Sequence, residues 1–122
     1  MAIPSLDEVP RLQMASDGAH DVRIINAKEF TSKKGNECLK VTFQVEDEDM
    51  IEPFSTIMVY PTTSDERNNA RFAARLASFI NCFDLPSEAE PDDMLEASGR
   101  LVTKTKETYK GDGYENDVAY FM

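Results

Sequence analysis

The sequence predicts a mainly β domain: a five-stranded Greek-key barrel with one α-helix between the third and fourth strands. The clearest observation is the alternation at residues 38–46, where apolar residues such as Leu39 and Val41 alternate with polar ones. A second is one long segment, residues 63–84, whose apolar residues recur at helical spacing. A third is the placing of glycine-containing turns between the other apolar segments. The predicted strands are residues 20–28, 38–46, 54–60, 100–108 and 114–121.

The first strand places Val22 and Ile24 on the core face, and a β-bulge would return Ala27 to that face. The second strand directs Leu39, Val41, Phe43 and Val45 into the core. The loop between them, residues 31–37, contains the favoured turn pair Gly35-Asn36. These two strands therefore form the predicted opening hairpin.

In the third strand, Ile57 and Val59 are the predicted core pair. Thr63 and Glu66 fit a capping box at the start of the helix, which should end near Asp84. The apolar stripe of this helix is Phe72, Leu76, Phe79, Ile80 and Phe83. An acidic connector with a short helix at residues 92–97 leads to the fourth strand.

This order of elements is that of the OB-fold, in which the helix lies between strands three and four. Residues 1–17 form the predicted irregular lead-in, and residues 18–122 form the domain. Ligands of an OB-fold use the face of strands two and three and the loops joining strands 1–2 and 4–5. Here those loops are residues 31–37 and 109–113, and both contain lysine and glycine.

The composition favours a globular protein and limits its partners. Hydrophobic residues make up 41% of the chain, and no apolar run has the length of about 20 residues that a membrane span needs. The start of the sequence lacks a signal peptide, so Cys38 and Cys82 are expected to be reduced thiols in the cytoplasm. The net charge of −10 opposes nonspecific attraction to nucleic acid, but many acids fall in two runs, at residues 46–52 and 84–96. A local basic surface is therefore compatible with the acidic total.

Enzymatic chemistry is not expected. The one histidine, His20, has no nucleophile or carboxylate tied to it by a motif. His20, Cys38 and Cys82 lack the spacing of metal ligands, and the pair Gly111 and Gly113 is too short for a phosphate-binding loop. The sequence predicts no enzyme, no cofactor and no metal site.

Single-strand binding needs cations for phosphates and aromatic faces for bases. Lys104 and Lys106 share one face of the fourth strand, although lysines that keep an exposed edge strand soluble would have the same parity. Phe30 and Tyr109 flank the two loops and are preferred as stacking platforms over the other candidates, Phe54, Tyr60 and Tyr114. Arg67, Arg71 and Arg75 recur at helical spacing and form either a phosphate-binding ridge or a solvated helix face.

Several segments resemble a family of small bacteriophage proteins that is similar to phage single-stranded DNA-binding proteins with an OB-fold. They are residues 18–24, the loop Ser32-Lys33-Lys34-Gly35-Asn36, the strand at 39–45, Leu85-Pro86, the helix ending at Gly99, and the segment 109–120. The resemblance implies binding of single-stranded DNA with little sequence preference in phage replication or recombination. It also implies partners among phage or host replication and recombination proteins, in the cytoplasm of a bacterial host.

Combined with the two loops, this predicts a set of nucleic-acid-binding residues: Arg23, Phe30, Lys33, Lys34, Lys40, Lys104, Lys106, Tyr109 and Lys110. Many single-stranded DNA-binding proteins end in a flexible acidic tail, whereas this sequence ends on predicted strand residues. The acidic composition leaves open a second class of function, a phage protein-interaction module without nucleic-acid binding. Exposed barrel edges leave a homodimer open as well.

Overall fold

The computed structural model describes residues 10–122, and the predictions for residues 1–9 lie outside this range. All five predicted strands and the long helix are present in the predicted order. The elements are β1 (Gly18–Thr31), β2 (Glu37–Val45), β3 (Phe54–Val59), α1 (Glu66–Cys82), α2 (Pro91–Met94), β4 (Ser98–Glu107) and β5 (Tyr114–Phe121).

The strands form one antiparallel sheet in the order β3-β2-β1-β4-β5. β1 is the central strand: its first half pairs with β4 and most of its length pairs with β2. The register shifts between Ile24 and Asn26, which is the predicted bulge, and Ala27 packs against the core beyond it. No backbone ladder joins the edge strands β3 and β5 in residues 10–122, so closure of a barrel is not found. The mainly β fold is confirmed, and the OB-fold stays a prediction.

Aromatic rings from β2, β3, β5 and α1 fill the core. Phe43 is fully buried, and its ring centroid lies 5.7 Å from those of Phe54 and Phe83 and 6.4 Å from that of Phe121. Phe79 of α1 completes the cluster, 5.2 Å from Phe83. The predicted alternation of β2 is confirmed, because each of its four inward residues is buried. The helix therefore covers the sheet through the predicted aromatic stripe.

The predicted core face of β3 is wrong. Phe54, Thr56 and Met58 are buried, whereas the side chain of Ile57 is 53% exposed. Phe54 lies directly opposite Phe43 in the ladder between β2 and β3, so the two rings share the core face. This pairing fixes the parity of the strand and directs Ile57 outward.

The predicted capping box of α1 is also wrong. Asp65 is the N-cap, and its carboxylate accepts hydrogen bonds from the backbone N–H groups of Arg67 (3.0 Å) and Asn68 (3.3 Å). The Thr63 hydroxyl lies before the cap and hydrogen-bonds Asn69 Oδ1 at 2.7 Å. The short helix α2 spans Pro91–Met94, shorter than predicted, and Asp93 Oδ2 accepts a hydrogen bond from the backbone N–H of Glu90.

Residues just before β1 are fastened to the sheet, although they form no strand. The backbone N–H and C=O groups of Ala15 each hydrogen-bond the side-chain amide of Asn116, both at 2.9 Å. Gln13 forms an isolated bridge with Ile51. This segment brings Met14 beside the edge strands, where the candidate site lies.

Candidate nucleic-acid interface

The edge strands β3 and β5 are joined by side chains, and we call their junction the seam. The Thr56 hydroxyl donates a hydrogen bond to Asp117 Oδ1 at 3.0 Å. Arg75 of α1 reaches the same hydroxyl with Nη2, also at 3.0 Å. The Arg75 guanidinium lies 5.5 Å from the ring centroid of Phe121, within the range of a cation–π contact. Three elements therefore meet at the point where a barrel would close.

A groove of about 820 Å³ follows the seam, and we call it the seam groove. Lys40 of β2 contributes to it from one side of the seam, and Lys104 and Lys106 of β4 contribute from the other. The edge strands themselves line it with residues that include Ser55, Ile57, Tyr114 and Asp117. Three of the sequence-predicted site residues are thus brought to one concave surface.

The three lysines of the groove differ in their ion pairs. Lys106 Nζ lies 3.3 Å from Asp117 Oδ2 and 3.7 Å from Glu115 Oε1. Neither Lys40 nor Lys104 takes part in any of the ion pairs formed within residues 10–122. Lys106 is therefore neutralised locally, whereas Lys40 and Lys104 are available to an anionic ligand.

Asp117 is ionised despite its position in the seam. Burial raises the pKa of its carboxyl group, but hydrogen bonds from the Val118 N–H and the Thr56 hydroxyl, together with the charge of Lys106, lower the pKa by more. The net pKa is below the ordinary value of an aspartate. A negative charge is thus fixed in the lining of the groove, where it pairs with Lys106.

Replacing Asp117 with asparagine should lower the free energy of unfolding by about 1–2 kcal/mol at pH 7, because hydrogen bonds to a charged acceptor are weakened. A carboxyl group with a depressed folded-state pKa stabilises the fold above its unfolded-state pKa, and that stabilisation is lost as pH falls through the folded-state pKa. The difference between wild type and Asp117→Asn should therefore shrink below about pH 4. Urea unfolding at pH 7 and pH 3 measures this; a difference that stays constant would contradict the assignment.

The outward face of β1, β2 and β3 extends the basic surface. Lys28 lies directly opposite Lys40, and Lys40 lies directly opposite Ile57. Two residues along, Phe30 of β1 lies opposite Cys38. Like charges directly opposite each other are unfavourable in a sheet unless an anion lies between them. Sequence reasoning missed Lys28, whose parity is set only by the bulge before it.

The first lysine-containing loop is a tight turn at the end of β1. The backbone N–H of Gly35 donates to the carbonyl of Ser32 at 2.9 Å, and Gly35 takes a positive φ of 86°. The Ser32 hydroxyl accepts a hydrogen bond from the N–H of Asn36 at 3.1 Å. Lys33 and Lys34 are exposed at the tip. The turn thus presents both side chains to solvent.

The second loop joins β4 to β5. The side chain of Tyr109 is fully exposed and Lys110 is exposed beside it. Thr103 lies opposite Gly18, the first residue of β1, and β4 continues beyond that point to the loop. The first loop follows the last residue of β1, so the register places the two loops beyond opposite ends of this strand. The seam groove is not lined by any of the four loop residues named above, Lys33, Lys34, Tyr109 and Lys110.

Most of the remaining predicted residues lie apart from the groove, whereas Phe54 and Arg75 are among the residues that line it. Arg23 pairs with Glu96 at 3.6 Å on an exposed surface. Arg67 and Arg71 are exposed on α1, whereas Arg75 is drawn into the seam. Of the aromatic candidates, Phe54 is buried, Phe30 is half-buried, and Tyr60 is half-buried with a phenol pKa raised by burial and by Glu29.

The other features of residues 10–122 that bear on a site are the cysteines, the metal-ligating side chains and the helices. Cys38 is buried and Cys82 half-buried, and both are free thiols. No group of three or more His, Cys, Asp or Glu side chains in residues 10–122 is arranged to hold a metal ion. Neither described helix is long and apolar enough to cross a membrane.

Comparison with known protein families finds no family model that matches the sequence, and comparison with curated proteins finds no match either.

Proposed function

We propose that this protein binds single-stranded DNA with little sequence preference, through the seam groove and the adjoining outward face of β1 to β3. The strand order β3-β2-β1-β4-β5, with edge strands linked by side chains, supports an OB-fold whose barrel is incompletely closed. The observation that carries the proposal is the position of Lys40 and Lys104 on either side of one groove, where neither forms an ion pair with residues 10–122.

The chemistry of this surface suits an extended polyanion with apolar bases. Lys28 and Lys40 add adjacent positive charges on the outward face, and Ile57 and Phe30 lie in the same or the next row of side chains. Phosphates would contact the lysines, and bases would contact the apolar side chains, without hydrogen bonds that read sequence. Lys33 and Lys34 at the loop tip would extend the phosphate path.

The resemblance to phage single-stranded DNA-binding proteins supports a role in phage DNA replication or recombination, in the cytoplasm of a bacterial host. In that role the protein would coat single strands and meet phage or host replication and recombination proteins. We propose no catalytic step for it.

Fluorescence anisotropy with labelled oligo-dT at low and moderate salt tests the proposal. We expect saturable binding at low salt and a steep loss of affinity as salt rises, because phosphate contacts release counterions. A duplex of the same length should bind more weakly. Absence of saturable oligo-dT binding at low salt, or equal affinity for oligo-dT and the duplex, would contradict the proposal.

The loop prediction has its own test. The double substitution Lys33→Glu and Lys34→Glu should weaken oligo-dT binding about 100-fold or more at low salt, since each replaced contact becomes a repulsion. Both side chains are exposed on a turn, so the fold should not change. Unchanged affinity with an intact circular dichroism spectrum would clear this loop of any role in binding.

A second candidate function, binding of a basic partner protein, is favoured by one specific contact. Glu46, at the start of the first acidic run, accepts a hydrogen bond from Ser98 Oγ at 2.7 Å, and Ser98 follows the second run closely. The start of the first acidic run therefore lies close to the end of the second. A protein that binds no oligonucleotide but is retained by a basic partner from the same phage or host would support this alternative.

A further inference from the structure

Direction and register define one end of the seam groove. Each neighbouring pair of strands is antiparallel, so β3 and β5 run in the same direction. The contact between Thr56 and Asp117 aligns them. Pro53 and Tyr114 each precede their aligned residue by three positions, so both lie at the end where the edge strands begin. Both line the groove, together with Met14 from the segment before β1.

Tyr114 presents an exposed aromatic ring at this end of the groove. Its side chain is 65% exposed, and its hydroxyl takes part in none of the side-chain hydrogen bonds formed within the described part of the chain. Met14 beside it is 37% exposed. The groove thus has a solvent-accessible aromatic ring at this end, next to the carboxylates of Glu52 and Glu115, which also line it. Lys104 lies farther along β4.

Lys104 lies three residues along β4 from Glu107, the residue opposite Tyr114. The separation along the strand is about 10 Å at the ordinary rise per residue. Lys106 lies between Lys104 and Glu107 on β4 and forms ion pairs with Glu115 and Asp117. Lys104 and Glu107 are an odd number of residues apart, so Lys104 and Tyr114 have opposite parity on the β4–β5 hairpin, yet both side chains line the groove. An aromatic ring and a lysine that forms no ion pair within residues 10–122 are therefore set apart along one groove, as a base and a phosphate of the same strand would require.

We propose that one unstacked nucleobase of the bound strand stacks on Tyr114, in the groove that Met14 and Pro53 also line, while a phosphate of that strand contacts Lys104. This inference rests on the proposed function and names the part of the ligand that the groove end takes. A base held there must leave its neighbours, so a duplex would have to be opened locally. The site therefore also provides a basis for preferring single strands.

The test compares oligo-dT with a fully abasic oligonucleotide of the same length, which keeps the phosphates and lacks the bases. Tyr114→Ala should lower affinity for oligo-dT about 5- to 100-fold, the range for loss of one stacked base. Tyr114→Phe should stay within about twofold of wild type, because the ring is kept. The matched control is Tyr120→Ala, which removes a tyrosine that is 58% exposed on the same strand and does not line the groove.

The abasic oligonucleotide isolates stacking from charge. Wild type and Tyr114→Ala should bind it equally. The protein has four tyrosines and no tryptophan, so quenching of tyrosine fluorescence by oligo-dT provides a second readout, which should shrink in Tyr114→Ala but persist in Tyr120→Ala. If Tyr114→Ala does not fold by circular dichroism, Tyr114→Leu replaces it, keeping an apolar side chain without the ring.

The outcomes separate the two proposals. Equal affinity of wild type and Tyr114→Ala for oligo-dT, or an equal loss for the abasic strand, overturns the stacking site while single-strand binding stands. Failure of wild type to bind either oligonucleotide at low salt overturns the proposed function itself.

Discussion

Replacing Lys40 and Lys104 together with glutamine should weaken oligo-dT binding about 100-fold at 50 mM salt. Each lysine that neutralises a phosphate of a single strand contributes about 0.7 to the slope of log affinity against log salt, which is worth about tenfold at this salt concentration. The slope should therefore fall by about 1.4 in the double variant. Both residues are exposed, line the seam groove and form no ion pair among the described residues, and a circular dichroism spectrum of the variant checks that the fold is kept.

The matched control removes two positive charges from another surface. Arg67 and Arg71 are exposed on α1 and do not line the groove, so Arg67→Gln with Arg71→Gln gives the same change in net charge. We expect this control to change the affinity less than about threefold. Equal losses in the two double variants would show that only net charge matters, and the groove would no longer be the site.

The substitution Phe43→Ala should lower the free energy of unfolding by about 3–5 kcal/mol, which is a large share of the stability of a domain of this size. Phe43 is fully buried, and its ring centroid lies within 6.4 Å of those of three other phenylalanines, in β3, at the C-cap of α1 and in β5. Its removal would leave a cavity at the junction of the sheet and the helix, which urea unfolding at pH 7 would detect.

Two variants bracket that result. Phe43→Leu keeps most of the volume and should cost less than about 2 kcal/mol, whereas Tyr120→Ala on an exposed surface should stay within about 0.5 kcal/mol of wild type. A loss below 1 kcal/mol for Phe43→Ala would mean that the aromatic cluster does not carry the core.

The sequence predicts the core face of a strand well when the apolar residues mark only one of its two faces. From Leu39 to Val45 in β2 every second residue is apolar and the others are polar, so one face is clearly marked as the core face. In β3 Ile57, Met58 and Val59 are apolar in succession, and only the pairing of Phe54 with Phe43 selects the face. At the helix start the predicted cap was Thr63, but Asp65 is the N-cap and the Thr63 hydroxyl hydrogen-bonds Asn69 Oδ1 instead.

The candidate site could be predicted only in part, for a similar reason. Strand parity placed Lys104 and Lys106 on one face. The register of the β4–β5 hairpin sets Lys104 opposite Asp117 and Lys106 opposite Glu115, so both lysines face an acid. Only the side-chain positions show that Lys106 pairs with both acids and that Lys104 pairs with neither. Lys28 could be assigned to the basic face only once the register beyond the bulge was known. The proposed stacking role of Tyr114 depends on the seam. The seam joins residues 61 positions apart in the sequence, which no local sequence pattern connects.

The seam also sets where the native sheet opens first. The contact between Thr56 and Asp117 joins residues 61 positions apart and is made by side chains alone. Bringing such distant residues together costs chain entropy that the β1–β2 hairpin largely avoids. Amide protons on the seam side of β3 and β5 should therefore exchange with solvent well before those of β1, through openings much smaller than global unfolding. In folding, the same junction should form last, after the hairpins and the aromatic core.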